Sequence, residues 1–173
     1  LPRLCNHCFK PSCLEACPGR DQGTIVKREE DGVVVIDEEK CKTVTCQYEC
    51  MQACPYKVIY ANSVQPNLAQ KCDLCLSRLE KQVAPACVRQ CPGRAVWTDY
   101  LDNTDGSVHK LVNEWKVALP LHPEFNTGPN VYYVPPLSPA PIDGNGDFDL
   151  SQRRIPMEYL RSLFGSKADH ALD

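Results

Sequence analysis

The sequence has no long apolar run. Its longest clean aliphatic stretch, Val33 to Ile36, is far short of the ~20 residues needed to cross a bilayer, so direct membrane insertion is not expected. No charged-then-apolar beginning resembles a signal peptide. There is no basic excess, with 19 Lys plus Arg against 22 Asp plus Glu, and no Lys/Arg run interleaved with aromatics. A nucleic acid is therefore not the expected partner. No glycine-rich phosphate loop is present, and no Ser/His/Asp or Cys/His set can be proposed as catalytic. Cysteine itself is missing after Cys91. The chain thus divides into a cysteine-rich part, residues 1–98, and a cysteine-free part, residues 99–173. It starts at Leu1 rather than Met, with a first cysteine already at position 5, and the expectation is that an upstream part is missing.

What is present is twelve cysteines in three groups of four. The first group is Cys5, Cys8, Cys13 and Cys17. The second is Cys41, Cys46, Cys50 and Cys54. The third is Cys72, Cys75, Cys87 and Cys91. Each closes with the same device, Cys-x3-Cys-Pro, at Cys13/Cys17-Pro18, Cys50/Cys54-Pro55 and Cys87/Cys91-Pro92. The first and third continue as Cys-Pro-Gly-Arg. The repeat is therefore one of ligand groups.

Three chemistries compete for such a pattern. An even cysteine count permits a disulfide scaffold, but small scaffolds seldom repeat one spacing three times. Structural zinc uses two short knuckles separated by a longer loop, and only the third group has even one knuckle of that form. Iron–sulfur ligation fits all three. Ferredoxin sequences run three closely spaced cysteines, then x3, then Cys-Pro, with the fourth cysteine reaching a different cluster.

The spacing has a physical reason. A cubane cluster offers four iron corners, each wanting one thiolate, and three cysteines on a tight loop reach three of them. The x3 step starts a short helix that carries the fourth thiolate away. Proline then suits a chain that turns abruptly without donating an N–H. By this logic one cluster takes Cys5, Cys8 and Cys13 with the remote Cys54, and a second takes Cys41, Cys46 and Cys50 with the remote Cys17. The third group either closes on itself or is half of a pair completed upstream. Thr24–Arg28 and the β-branched Val33–Asp37, separated by the turn Glu30-Asp31-Gly32, predict a β-hairpin. Tyr56–Ala61 predicts another short strand. The expected fold is α+β: a ferredoxin-like polycluster domain with small antiparallel hairpins and short helices, followed by an extended Pro-rich C-terminal segment.

Particular stretches carry a resemblance. Leu1-Pro2-Arg3-Leu4-Cys5-Asn6-His7-Cys8, the hairpin Lys27–Asp37 and Cys54-Pro55-Tyr56-Lys57 resemble the iron–sulfur beta subunits of molybdenum bis-pterin oxidoreductases, in the nitrate-reductase branch of the dimethyl-sulfoxide-reductase superfamily. Glu114–Pro123 and Gly128–Pro136 look like the beta subunits of ethylbenzene and dimethylsulfide dehydrogenases, selenate, chlorate and perchlorate reductases, and nitrite oxidoreductase. The resemblance implies a non-catalytic electron-transfer subunit. Single electrons would pass through [4Fe-4S] clusters between a molybdenum-containing catalytic alpha subunit and a haem b gamma subunit or other acceptor, the bis-pterin molybdenum and the haem lying on those partners. It also implies that groups one and two are the inner pair and that group three shares clusters with an upstream group. In relatives the second inner group is shorter and often lacks one cysteine, leaving a [3Fe-4S] cluster. Here four cysteines are spaced x4, x3, x3, which opens both the iron count and the ligation by Cys41, Cys46 and Cys50. The resemblance further implies periplasmic location after export with a partner, or membrane association. A free-standing polyferredoxin is the first rival and a zinc-binding interaction module the second.

Other features are read beside their plainer alternatives. His7, between two ligands, is expected to hydrogen-bond near the cluster rather than ligate it. Arg20, Lys57 and Arg94 either raise cluster potentials or form ordinary surface contacts. Asp143–Asp149 begins like a calcium loop, but Phe148 and Arg154 stand where Gly and Glu are required, so a polar turn is expected. Ser107–Trp115 and Met157–Phe164 predict helices, the latter stopped by Gly165. Leu119–Pro141, with seven prolines, is expected to run extended over a surface. Its apolar residues Leu121, Phe125, Val131, Tyr132, Tyr133 and Val134 would provide contacts.

Overall fold

The computed structural model describes residues 2–136, 141–147, 149, 152 and 155–171. It divides into two units. The first comprises the chain up to Thr98 together with Asn126–Val131; the second comprises Asp99–Phe125 and the chain from Tyr132 onward. The cysteine-free half thus lends a short stretch to the cysteine-rich unit.

In the first unit, α1 (Ser12–Glu15) follows Pro11, whose fixed φ suits a helix start. It carries Cys13 inward. The chain then forms β1 (Ile25–Lys27) and β2 (Val34–Ile36), paired antiparallel with Ile25 opposite Ile36 and Lys27 opposite Val34. Their connection is built by Asp31, whose Oδ1 accepts from Val33 N at 3.0 Å and whose carboxylate also pairs with Arg28. Gly32 supplies the left-handed turn at φ 69°. Ile25, Val33 and Val34 are buried, whereas Val26 faces out. This is the predicted hairpin.

Asp37 caps α2 (Glu38–Thr43), its carboxylate accepting from Lys40 N at 3.1 Å. Glu38 and Glu39 occupy the first turn and Lys42 the last, as the helix dipole favours. α3 (Glu49–Ala53) carries Cys50 and packs against α1. The next predicted strand is shorter than its apolar pattern suggests. Only Tyr60–Ala61 (β3) is extended and paired, with Ala69–Gln70 (β4). The reason is local: Lys57 adopts φ 54° and its N–H closes a turn onto Cys54 O at 3.2 Å, so the chain after Pro55 bends before it extends. α4 (Leu76–Leu79) and α5 (Ala86–Arg89) complete this unit, α5 bearing Cys87.

The second unit begins with α6 (Ser107–His109), which widens over Lys110–Glu114 into an i→i+5 turn closed by Trp115 N to Lys110 O at 2.8 Å. The predicted helix over 107–115 is therefore present, but its second half is a π-type turn. β5 (Leu119–Pro120) pairs antiparallel with β6 (Tyr132–Tyr133). α7 (Met157–Phe164) buries Leu160 and Phe164 on one face and ends at Gly165, φ 69°. α8 (Lys167–His170) follows, with Ala168 buried. The Pro-rich stretch is thus partly folded back upon its own unit: Leu121 and Tyr133 are interior residues, while Phe125 and Val134 remain exposed. Residues 137–140 of that stretch lie outside the described residues.

Asp143 closes the acidic turn itself, its Oδ1 accepting from Asn145 N at 2.8 Å and Asp147 N at 3.0 Å. That is a polar turn; Phe148 and Arg154 lie outside the described residues. No helix among the described residues is long and apolar enough to cross a membrane.

Candidate cluster-binding sites

Within the first unit two cavities gather cysteines. The first is lined by Cys5, Cys8, Cys13 and Cys54, with Asn6, His7, Val34, Tyr56 and Thr127 among the other walls. The second is lined by Cys17, Cys41, Cys46 and Cys50, with Thr24, Ile25, Ile36 and Val44. Each cavity takes three cysteines from one sequence group and one from the other. The exchange is made by the two packed helices. Cys13 lies on α1 and Cys17 just beyond it; Cys50 lies on α3 and Cys54 just beyond it. Each helix therefore presents one sulfur to its own cavity and delivers the next to the neighbour.

The cysteines are all free thiols. Among the described residues no three His, Cys, Asp or Glu side chains are placed to hold a single metal ion. The sulfurs ring a space instead, which suits a polynuclear group. Burial pushes the thiols of Cys5, Cys8 and Cys17 up, Cys13 to about 11 and Cys50 to about 12. Neighbouring thiols add to this at Cys13 and Cys50. Thiolates here need a positive centre to be stable.

Donors of the walls offset part of this rise: the His7 N–H near Cys5, the Thr127 hydroxyl near Cys8 and the Gly19 N–H near Cys17 each pull the thiol back down. The ligand loops turn with non-glycine residues at positive φ: His7 at 41°, Tyr48 at 59° and Leu74 at 57°. Such residues are uncommon in general and collect at functional sites. Glycine would be the usual sequence signal for these turns, and none stands there.

Three buried side-chain polar atoms have no hydrogen-bond partner among the described residues: Asn6 Oδ1, His7 Nε2 and Thr24 Oγ1. All three belong to cavity walls. A buried donor left unpaired costs about 1–3 kcal/mol, so His7 and Thr24 call for an acceptor in the cavities. The inorganic and cysteinyl sulfurs of a cubane cluster are such acceptors, and the residues fit the group.

Sequence reasoning missed several residues that brace the ligand loops. Lys27 Nζ donates to Cys8 O at 3.1 Å, Gly32 O at 2.9 Å and His7 O at 3.4 Å, tying the first ligand loop to the hairpin. Lys71 Nζ donates to Val34 O and to Cys72 O. Residues 126–131 clasp the same loop: Gly128 O accepts from Phe9 N at 2.6 Å, Thr127 O from Lys10 N at 2.9 Å, and Asn130 N donates to Asn6 O at 2.8 Å. These contacts join residues more than a hundred positions apart, which no local pattern reveals. Of the basic residues singled out above, Arg20 pairs with Glu15 on the surface, worth little. Lys57 Nζ donates to Gln52 O.

The third group enters neither cavity. Cys72, Cys75 and Cys91 are half-buried and Cys87 is exposed. Cys72 accepts from Leu74 N at 3.4 Å and Cys91 from Ala95 N at 3.2 Å. The N–H groups of Ala95, Val96, Gly93 and Arg94 hold the Cys91 thiol below its ordinary value.

Two four-cysteine cavities with one ligand exchanged between them define a dicluster ferredoxin fold. Residues 1–99 match the family described as the 4Fe-4S dicluster domain, and the chain belongs to it. The sequence is 51% identical over 173 residues to the perchlorate reductase subunit beta of Dechloromonas aromatica (strain RCB), covering 99% of this chain and 50% of that protein. It is 50% identical to the selenate reductase subunit beta of Thauera selenatis, covering 99% and 51%. It is 35% identical over 221 residues to the respiratory nitrate reductase 1 beta chain of Escherichia coli (strain K12), covering 94% and 42%. The chain spans about half the length of the curated relatives it matches.

Proposed function

We propose that this chain is part of the iron–sulfur beta subunit of a molybdenum oxidoreductase complex and relays single electrons through clusters to and from partner subunits. The observation that carries the reading is the pair of cavities, each lined by four cysteines with one contributed by the other group. Cys5, Cys8, Cys13 and Cys54 hold one cluster; Cys17, Cys41, Cys46 and Cys50 hold the second, whose four thiols favour four irons over three. Cys72, Cys75, Cys87 and Cys91 supply further ligands. Bound clusters supply the one-electron redox change. The protein's own part is to hold the thiolates, to keep water from the sulfurs with Val34, Ile25, Ile36 and Val44, and to aim N–H and O–H groups at sulfur, which sets potential.

The named relatives are beta subunits of perchlorate, selenate and nitrate reductases. The proposed partners are accordingly a molybdenum bis-pterin catalytic subunit and a haem b subunit or other acceptor, with substrate chemistry on the catalytic subunit. Exposed Phe125 and Val134 support a docking role for the Pro-rich segment. Periplasmic residence after export with the partner completes the proposal.

The test is iron and acid-labile sulfide on anaerobically purified protein, with EPR of oxidised and reduced states. Matching iron and sulfide, with coupled signals on reduction, are expected. Zinc without labile sulfide would remove the reading, and a three-iron signal in the oxidised sample would correct the second cavity.

A further inference from the structure

The imidazole of His7 is held in one state through its Nδ1. Val34 donates its buried backbone N–H to Nδ1 at 3.0 Å. A ring nitrogen that accepts carries no proton, so the single proton of the ring sits on Nε2. An imidazolium would set two donors against each other at this contact. Nε2 is therefore an N–H donor, and it is buried with no partner among the described residues. The ring belongs to the wall shared with Cys5, Cys8, Cys13 and Cys54.

The backbone around the ring is pinned as well. His7 lies at φ 41°. Its carbonyl accepts from Asn130 Nδ2 at 2.8 Å and from Lys27 Nζ at 3.4 Å. Two separate elements, the hairpin through Val34 and Lys27 and the 126–131 clasp through Asn130, thus fix one residue.

We infer that His7 is a positioning residue whose Nε2–H donates a hydrogen bond to a sulfur of the cluster in the first cavity, with the Val34 N–H fixing the tautomer. The inference rests on the cluster assignment proposed above. A donor to sulfur stabilises the more negative, reduced form, so His7 raises the potential of that cluster alone. The second cavity has no histidine in its wall; the partnerless donor there is the Thr24 hydroxyl.

The test uses the complete holo complex, grown with 15N-histidine and reduced for pulsed EPR, together with a potentiometric titration. One cluster is expected to show a weakly coupled histidine nitrogen and an exchangeable proton. Both should vanish in His7→Leu, with a fall in the midpoint of that cluster and no movement of the others. His7→Gln, which keeps an amide donor and an acceptor for Val34, should recover part of the midpoint. A cluster signal without histidine coupling in the unsubstituted protein overturns the inference while leaving the cluster assignment standing, whatever the variants do. Coupling that persists in His7→Leu, or an unmoved midpoint, also overturns it. Absence of any cluster signal removes both.

Discussion

The phenol oxygen of Tyr56 and the hydroxyl oxygen of Thr127 lie 2.9 Å apart in the interior of the first unit. Tyr56 follows Cys54-Pro55; Thr127 sits in the clasp, its carbonyl accepting from Lys10 N at 2.9 Å. One contact therefore joins the remote ligand of the first cavity to the loop carrying its other three. Tyr56→Phe removes it and leaves a buried hydroxyl short of a partner. A loss of about 1 kcal/mol is expected, read as a lower urea midpoint and faster bleaching of one cluster on exposure to chelator.

Ligand exchange makes a crossed prediction. Cys54→Ser should perturb the cluster proposed for Cys5, Cys8 and Cys13, although Cys54 belongs to the second group in sequence. Cys17→Ser should perturb the cluster held by Cys41, Cys46 and Cys50. EPR of each variant identifies which signal changes; signals following the sequence groups instead would contradict the pairing.

Gly19 stands where a side chain has no room. A Cβ there would collide with Thr24 Oγ1 and come within 2.5 Å of Val44 Cγ2. Both residues line the second cavity. Gly19→Ala should cost about 1–3 kcal/mol by overpacking and reduce iron occupancy of the second cavity selectively. Iron analysis with EPR of the two signals checks this.

Proton competition gives a pH dependence. Cys13 is raised from 9.0 to about 11 and Cys50 from 9.0 to about 12, burial being the main cause. The cluster-free fold keeps these thiols protonated, so its stability from burying them is present below 9.0 and lost as pH rises through their folded values. Loading must expel those protons. Reconstitution against a fixed chelator should thus improve as pH is raised from neutrality toward 9.0, with proton release measured alongside. An insensitive yield would show that the thiols ionise before iron arrives.

Much of the fold was readable locally. The β-branched run Val33–Ile36 facing Ile25 across an Asp-Gly turn is enough to specify the first hairpin, because its register follows from the turn and the buried face. The apolar spacing of Leu160 and Phe164 before Gly165 is enough for α7. Tyr56–Ala61 was right only at its end, Tyr60–Ala61, because its earlier residues serve a turn after Pro55. The Pro-rich segment left open whether its apolar residues cover its own unit or a partner; Tyr133, opposite Leu119, is interior to its own unit.

The residues by themselves pointed to the chemistry: twelve thiols in three equal groups, each with a helix-starting step and a closing proline, fit a multinuclear cofactor better than zinc or disulfides. Local spacing acts over one or two turns of chain, and that is sufficient to place three sulfurs around one point. Tertiary structure alone decided the rest. The return of residues 126–131 brings Thr127 and Asn130 to a loop at the other end of the sequence. The hairpin edge at Val34 sets the proton on His7. Each depends on where long-range packing puts a group, and neither spacing nor propensity encodes that.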